Sequence, residues 1–84
     1  MKKWLIVYSS VTGNTKQIAE AIYDGFGEDM ANIFAIRDEF NLEDYDNIAV
    51  GYWLTRGEPD KMVQELLKKL NNKTVILFQT QGQN

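Results

Sequence analysis

A chain of 84 residues suffices for one small domain, near the lower limit of what a single hydrophobic core supports. It has no cysteine and no histidine, which removes disulfides, thiolate nucleophiles, sulfur-ligated metals and the usual general base. Its net charge of −3 argues against nucleic acid or an anionic membrane surface as partner, and catalysis would have to come from a bound cofactor.

Met1-Lys2-Lys3-Trp4 carries no signal-peptide stretch, and no apolar run reaches membrane-spanning length, so a cytoplasmic protein is expected. Trp4-Leu5-Ile6-Val7-Tyr8 is a continuous apolar run, the pattern of a central strand buried on both faces. Ser9-Ser10-Val11-Thr12-Gly13-Asn14-Thr15 follows it and leads into a helix. There Ile18, Ala19, Ile22 and Phe26 recur at helical spacing, with Gly25 and Gly27 as a stop. Hydroxyls, backbone N–H groups and the positive end of a helix dipole converge in that loop, an arrangement suited to an anion. It contains no lysine or arginine and lacks the lysine of the triphosphate loop, so it suits a phosphate monoester held by hydrogen bonds. Helix capping alone would employ one of the hydroxyls, not all of them.

Ala31 to Ile36 predicts a shorter strand at a sheet edge. The acidic segment Arg37 to Asp46 reads as a loop with one helical turn, anchored by Phe40, Leu42 and Tyr45. Its paired carboxylates, Asp38-Glu39 and Glu43-Asp44, read as solvated turn residues. Ile48-Ala49-Val50-Gly51-Tyr52 predicts a third, buried strand. The loop from Trp53 to Glu58 then precedes Pro59, placed as the first residue of a second helix. Met62, Val63, Leu66, Leu67 and Leu70 form that helix's apolar stripe, and Thr74-Val75-Ile76-Leu77-Phe78 predicts a fourth buried strand. Strands alternating with helices imply a parallel α/β sheet of order 2-1-3-4, with the two helices on opposite faces. Ligands bind such sheets outside the carboxyl ends of the strands where the order reverses, and three loops open there: Ser9–Thr15, Trp53–Glu58 and Gln79–Asn84.

The run from Ile6 to Ile22, Ile-Val-Tyr-Ser-Ser-Val-Thr-Gly-Asn-Thr-Lys-Gln-Ile-Ala-Glu-Ala-Ile, resembles the strand–phosphate loop–helix signature of the flavodoxin-like, FMN-binding family. Tyr8, Ser10, Gly13, Thr15, Ala19 and Ile22 carry the match, and Tyr45-Asp46-Asn47 leading into the third strand is similar too. The resemblance implies that Ser9, Ser10, Thr12, Asn14 and Thr15, with backbone N–H groups around Val11 and Gly13, hold the FMN phosphate. It implies that Tyr52, Trp53, Leu54, Arg56 and Gly57 flank the isoalloxazine ring, and that Thr80, Gln81 and Gly82 meet its pyrimidine edge. Trp53, at the switch point, suits stacking on a flavin better than core or edge packing, while Tyr52 should point to the opposite side of the pleat. Arg56 is either a charge near the ring or a solvated loop residue, and the last residues are either ring contacts or a frayed end.

A full flavodoxin has a fifth strand and further helices that this chain lacks. The fourth strand is then an unprotected edge, which predicts a homodimer or larger assembly through edge pairing or element swapping, or completion by a partner. The expected function is electron transfer between a reductase and an acceptor, with FMN bound noncovalently. The alternatives are a non-redox assembly or interaction module, or a truncated fragment of a flavodoxin-like protein, with a weak or empty flavin site, and an FMN-dependent quinone reductase.

Overall fold

The computed structural model describes residues 3–10, 13–54 and 57–80. Four strands, β1 (Trp4–Tyr8), β2 (Ala31–Ala35), β3 (Asn47–Trp53) and β4 (Thr74–Thr80), form one parallel sheet in the order β2-β1-β3-β4, as expected. Two helices cross it, α1 (Asn14–Phe26) and α2 (Lys61–Leu67), and a 3-10 turn at Leu42–Asp44 lies between β2 and β3.

The alternation of side chains along β1 divides the core in two. Leu5 and Val7 face α2 and pack with Ile48, Val50, Val63 and Leu66; Ile6 faces α1 and packs with Ala19, Ala31 and Ala49. Leu5, Ile6 and Val7 are all fully buried, because β1 has a strand on each side and a helix on each face. Small residues let α1 approach closely: Ala19 lies over Ala31 and Ala49, and Trp4 stacks on Phe26 with ring centroids 4.9 Å apart. Gly51 is required by its neighbour. A Cβ there would sit 2.2 Å from the Phe78 ring, which reaches over the glycine from β4.

Three expectations change. The second helix begins after Asp60, not at Pro59. The Asp60 carboxylate accepts a hydrogen bond of 2.9 Å from the Val63 N–H, so it is the cap, and Pro59 precedes it. The proline carbonyl instead accepts from the Gln64 amide at 2.8 Å. At the other end the helix tightens, with Lys69 N–H donating to the Leu66 carbonyl at 2.9 Å, yet Leu70 still packs on the core.

The second change concerns Gly25, which lies inside α1; Gly27 alone ends it, at φ +88. The third concerns β4, which is not a buried strand: Ile76 is 47% exposed and Leu77 49%. Ile76 is in register with Ala49 on the α1 face and Leu77 with Val50 on the α2 face, so both faces are open. On the α2 face Leu77 is open because α2 lies over β1 and β3.

Candidate functional site

The carboxyl ends of β1, β3 and β4 and the amino end of α1 meet at the point where strand order reverses. The chain leaves β1 through Ser9, whose N–H donates to the Gly51 carbonyl at 2.9 Å, extending the sheet by one residue. Gly13 precedes α1 at φ +96, a left-handed conformation that side-chain-bearing residues rarely adopt. Its N–H donates to Ser10 Oγ at 2.9 Å, which ties the end of β1 to the start of α1. Among the described residues none lies within 4 Å of where a side chain at Gly13 would stand.

Helical geometry leaves the N–H groups of Asn14, Thr15 and Lys16 without intrahelical acceptors, and Gly13 has no side chain to cap them. No basic side chain between Ser9 and Thr15 supplies the positive potential; the amides and the helix dipole do. Ser10 keeps a proton to donate, since its oxygen serves Gly13 only as an acceptor. These donors fit a small oxyanion.

The predicted site residues divide by what their side chains meet. Ser9 continues the alternation of Leu5 and Val7 onto the α2 face, and its hydroxyl donates to the Asp60 carboxylate. Its proton is therefore engaged away from the Ser10–Gly13 turn. Asp60 holds Ser9 through one oxygen and caps α2 through the other, tying the loop to the second helix. Thr15 is 1% exposed, and its hydroxyl shares a 2.8 Å hydrogen bond with Thr80 Oγ1, either being the donor. Thr80, expected at the ring edge, thus stands against the start of α1. Asn14 opens α1 and is half-buried.

Trp53, half-buried, is in register with Thr80 at the end of β3 and shares its face by strand alternation. Tyr52 points the other way, into the α2-side cluster, and its hydroxyl donates to Gln79 Oε1 at 3.2 Å. Leu54 continues the β3–β4 pairing, donating to the Thr80 carbonyl at 3.4 Å, and Gly57 stands in a turn at φ +84. Val11, Thr12, Arg56, Gln81 and Gly82 lie outside the described residues. Sequence reasoning missed Asp60, although an aspartate just before an apolar helical run is a recognisable cap.

Sheet order, crossover pattern and a glycine-led turn at the reversal point define a doubly wound α/β domain with its site at the β1–α1 junction. Residues 5–84 match the family model of the flavodoxin domain, and the chain belongs to that family. It is similar to two flavodoxin-like domain-containing proteins named BilS. The one from Clostridioides difficile (strain CD3) is 41% identical over 83 residues, covering 95% of this chain and 47% of the relative. The one from Clostridium symbiosum (strain WAL-14163) is 30% identical over 96 residues, covering 95% and 50%. The chain spans about half the length of both relatives.

Among solved structures, oxidised flavodoxin 2 from Bacillus cereus superposes with a TM-score of 0.67 at 29% identity, over 94% of this chain and 61% of that one. A candidate flavoprotein from Bacteroides eggerthii DSM 20697 superposes at 0.75 with 19% identity, over 100% and 74%, a likeness of fold. Among the described residues no helix is long and apolar enough to cross a membrane.

Proposed function

We propose that the chain binds FMN without covalent attachment and serves electron transfer between a reductase and an acceptor protein. The observation that carries this reading is the cradle formed by Ser10, Gly13 and the open amino end of α1, in a chain of the flavodoxin domain family. The Ser10 hydroxyl donates to a phosphate oxygen while its lone pair holds Gly13 in place. Backbone N–H groups of Asn14, Thr15 and Lys16 donate the remaining hydrogen bonds, joined by the side chains of Thr12 and Asn14. Charge-assisted bonds of this kind are the stronger class.

The Ser9 hydroxyl, held by Asp60, positions the loop, and the Thr15 hydroxyl is shared with Thr80. Trp53 offers a flat apolar surface for the ring, Arg56 and Gly57 flank it, and Gln81 and Gly82 meet its polar edge. The bound flavin supplies the redox chemistry, since the chain has neither histidine nor cysteine. The net charge of −3 steers basic partners during encounter. Addition of FMN to the apoprotein tests the reading by absorbance and quenching of flavin fluorescence; a protein that takes up no flavin refutes it.

A second copy completes the sheet. β4 runs seven residues without a charge, proline or bulge, the devices that ordinarily guard an edge. Light scattering at micromolar concentration should give a dimer or larger, and Leu77→Lys should give a monomer; a stable monomer before substitution contradicts the pairing. The exposure of β4 also favours a second reading, a non-redox interaction module, which predicts a protein that associates yet stays colourless with flavin.

A further inference from the structure

A groove of about 780 Å³ runs between α2 and the connection from β2 to β3, on the face opposite α1. Parallel strands are ordinarily joined by a crossover helix that covers this position. Here residues 36–46 make the connection with only the 3-10 turn Leu42–Asp44, so among the described residues no helix neighbours the flank of α2. The floor is apolar: Ile36, Phe40 and Leu42 from the connection, Met62 and Leu66 from α2.

We propose that this groove docks an amphipathic helix of a partner protein whose apolar face is flanked by lysine or arginine. Three observations select that occupant. Met62 and Leu66 stand at i and i+4 on α2, one turn apart on the ridge against which a second helix packs. Met62 is 50% exposed in an otherwise half-buried setting, and its unbranched thioether adapts to a variable apolar surface. The rim carries three carboxylates, Asp38, Glu39 and Glu65, against the single ammonium of Lys69, so it complements a basic helix and repels an acidic one. An extended strand is not the fit, because α2 offers the groove side chains and not free backbone; the open backbone lies at β4.

The test uses the isotope-labelled protein and two blocked synthetic peptides about 14 residues long, long enough to form a helix on contact. One is an amphipathic sequence of leucine and lysine, the other the same sequence with glutamate for lysine. The lysine peptide should shift the amide signals of Phe40, Met62, Leu66 and Lys69. Met62→Lys and Glu65→Lys should each weaken it about tenfold. Glu20→Lys changes the charge equally on exposed α1 and should leave affinity within about twofold. The proposal is overturned by equal losses in all three variants, by binding of the glutamate peptide as tightly, by shifts centred on Ile76 and Leu77, or by no binding at millimolar peptide. None of these residues belongs to the phosphate cradle, so the outcome is independent of flavin binding.

Discussion

β1 and β4 are near-equivalent strings of apolar residues with opposite fates. Leu5, Ile6 and Val7 are fully buried, whereas Ile76 and Leu77 are about half exposed. Their registers are continuous across the sheet, from β1 through β3 to β4, so the pleat treats them alike. What differs is the cover: β1 lies under both helices with a strand on either side, and β4 has one neighbour and little above or below it. Burial is set by neighbours in space. The candidate anion site is built on the well-covered part of the molecule and touches the exposed edge through Thr80.

The sharpest way to break that contrast is a pair of truncations. Leu5→Ala should cost about 2–5 kcal/mol in urea unfolding, and Leu77→Ala less than about 1 kcal/mol. Equal losses at low protein concentration would mean that β4 is covered within the single chain. A Leu77→Ala loss that grows with concentration would instead locate a second copy on that edge.

Gly51→Ala probes the side-chain packing of β4 on β3. Its methyl would meet the Phe78 ring at 2.2 Å, and the expected cost is about 1–3 kcal/mol. Phe78→Leu in the same chain should recover part of it, which equilibrium unfolding of the double variant reads directly; no recovery would assign the loss elsewhere. Asp60→Ala is expected to be milder, about 1–2 kcal/mol, since it removes the α2 cap and the acceptor for Ser9. Hydrogen exchange should show the loosening at the start of α2 and at Ser9 together. Loosening at α2 alone would uncouple the loop from the second helix.

The strand order was legible from alternating strand and helix patterns, because topology follows from element order and right-handed crossovers. The helix cap at Asp60 was within reach of the same reading, but the proline next to it carried the more familiar helix-start signal and took the role instead. Exposure of Leu77 was not legible: a run such as Val75 to Phe78 describes strand propensity, and the placement of α2 over β1 and β3 is a tertiary outcome. The candidate anion loop stands out by its composition, yet composition treats its hydroxyls as equals. The fold assigns them separate tasks: Ser9 follows the pleat to Asp60, Thr15 turns inward to Thr80, and Ser10 remains at the mouth of the turn. Alternation continued one residue past Tyr8 would have separated Ser9 from Ser10.

The most direct measurement compares the dissociation constants of FMN and riboflavin, which differ by the phosphate alone, in the parent chain and in Ser10→Ala. The parent should bind FMN at least about tenfold more tightly, and the substitution should narrow that ratio several-fold while riboflavin affinity stays nearly constant. Equal affinities for the two flavins in the parent chain would show that the amino end of α1 does not hold a phosphate.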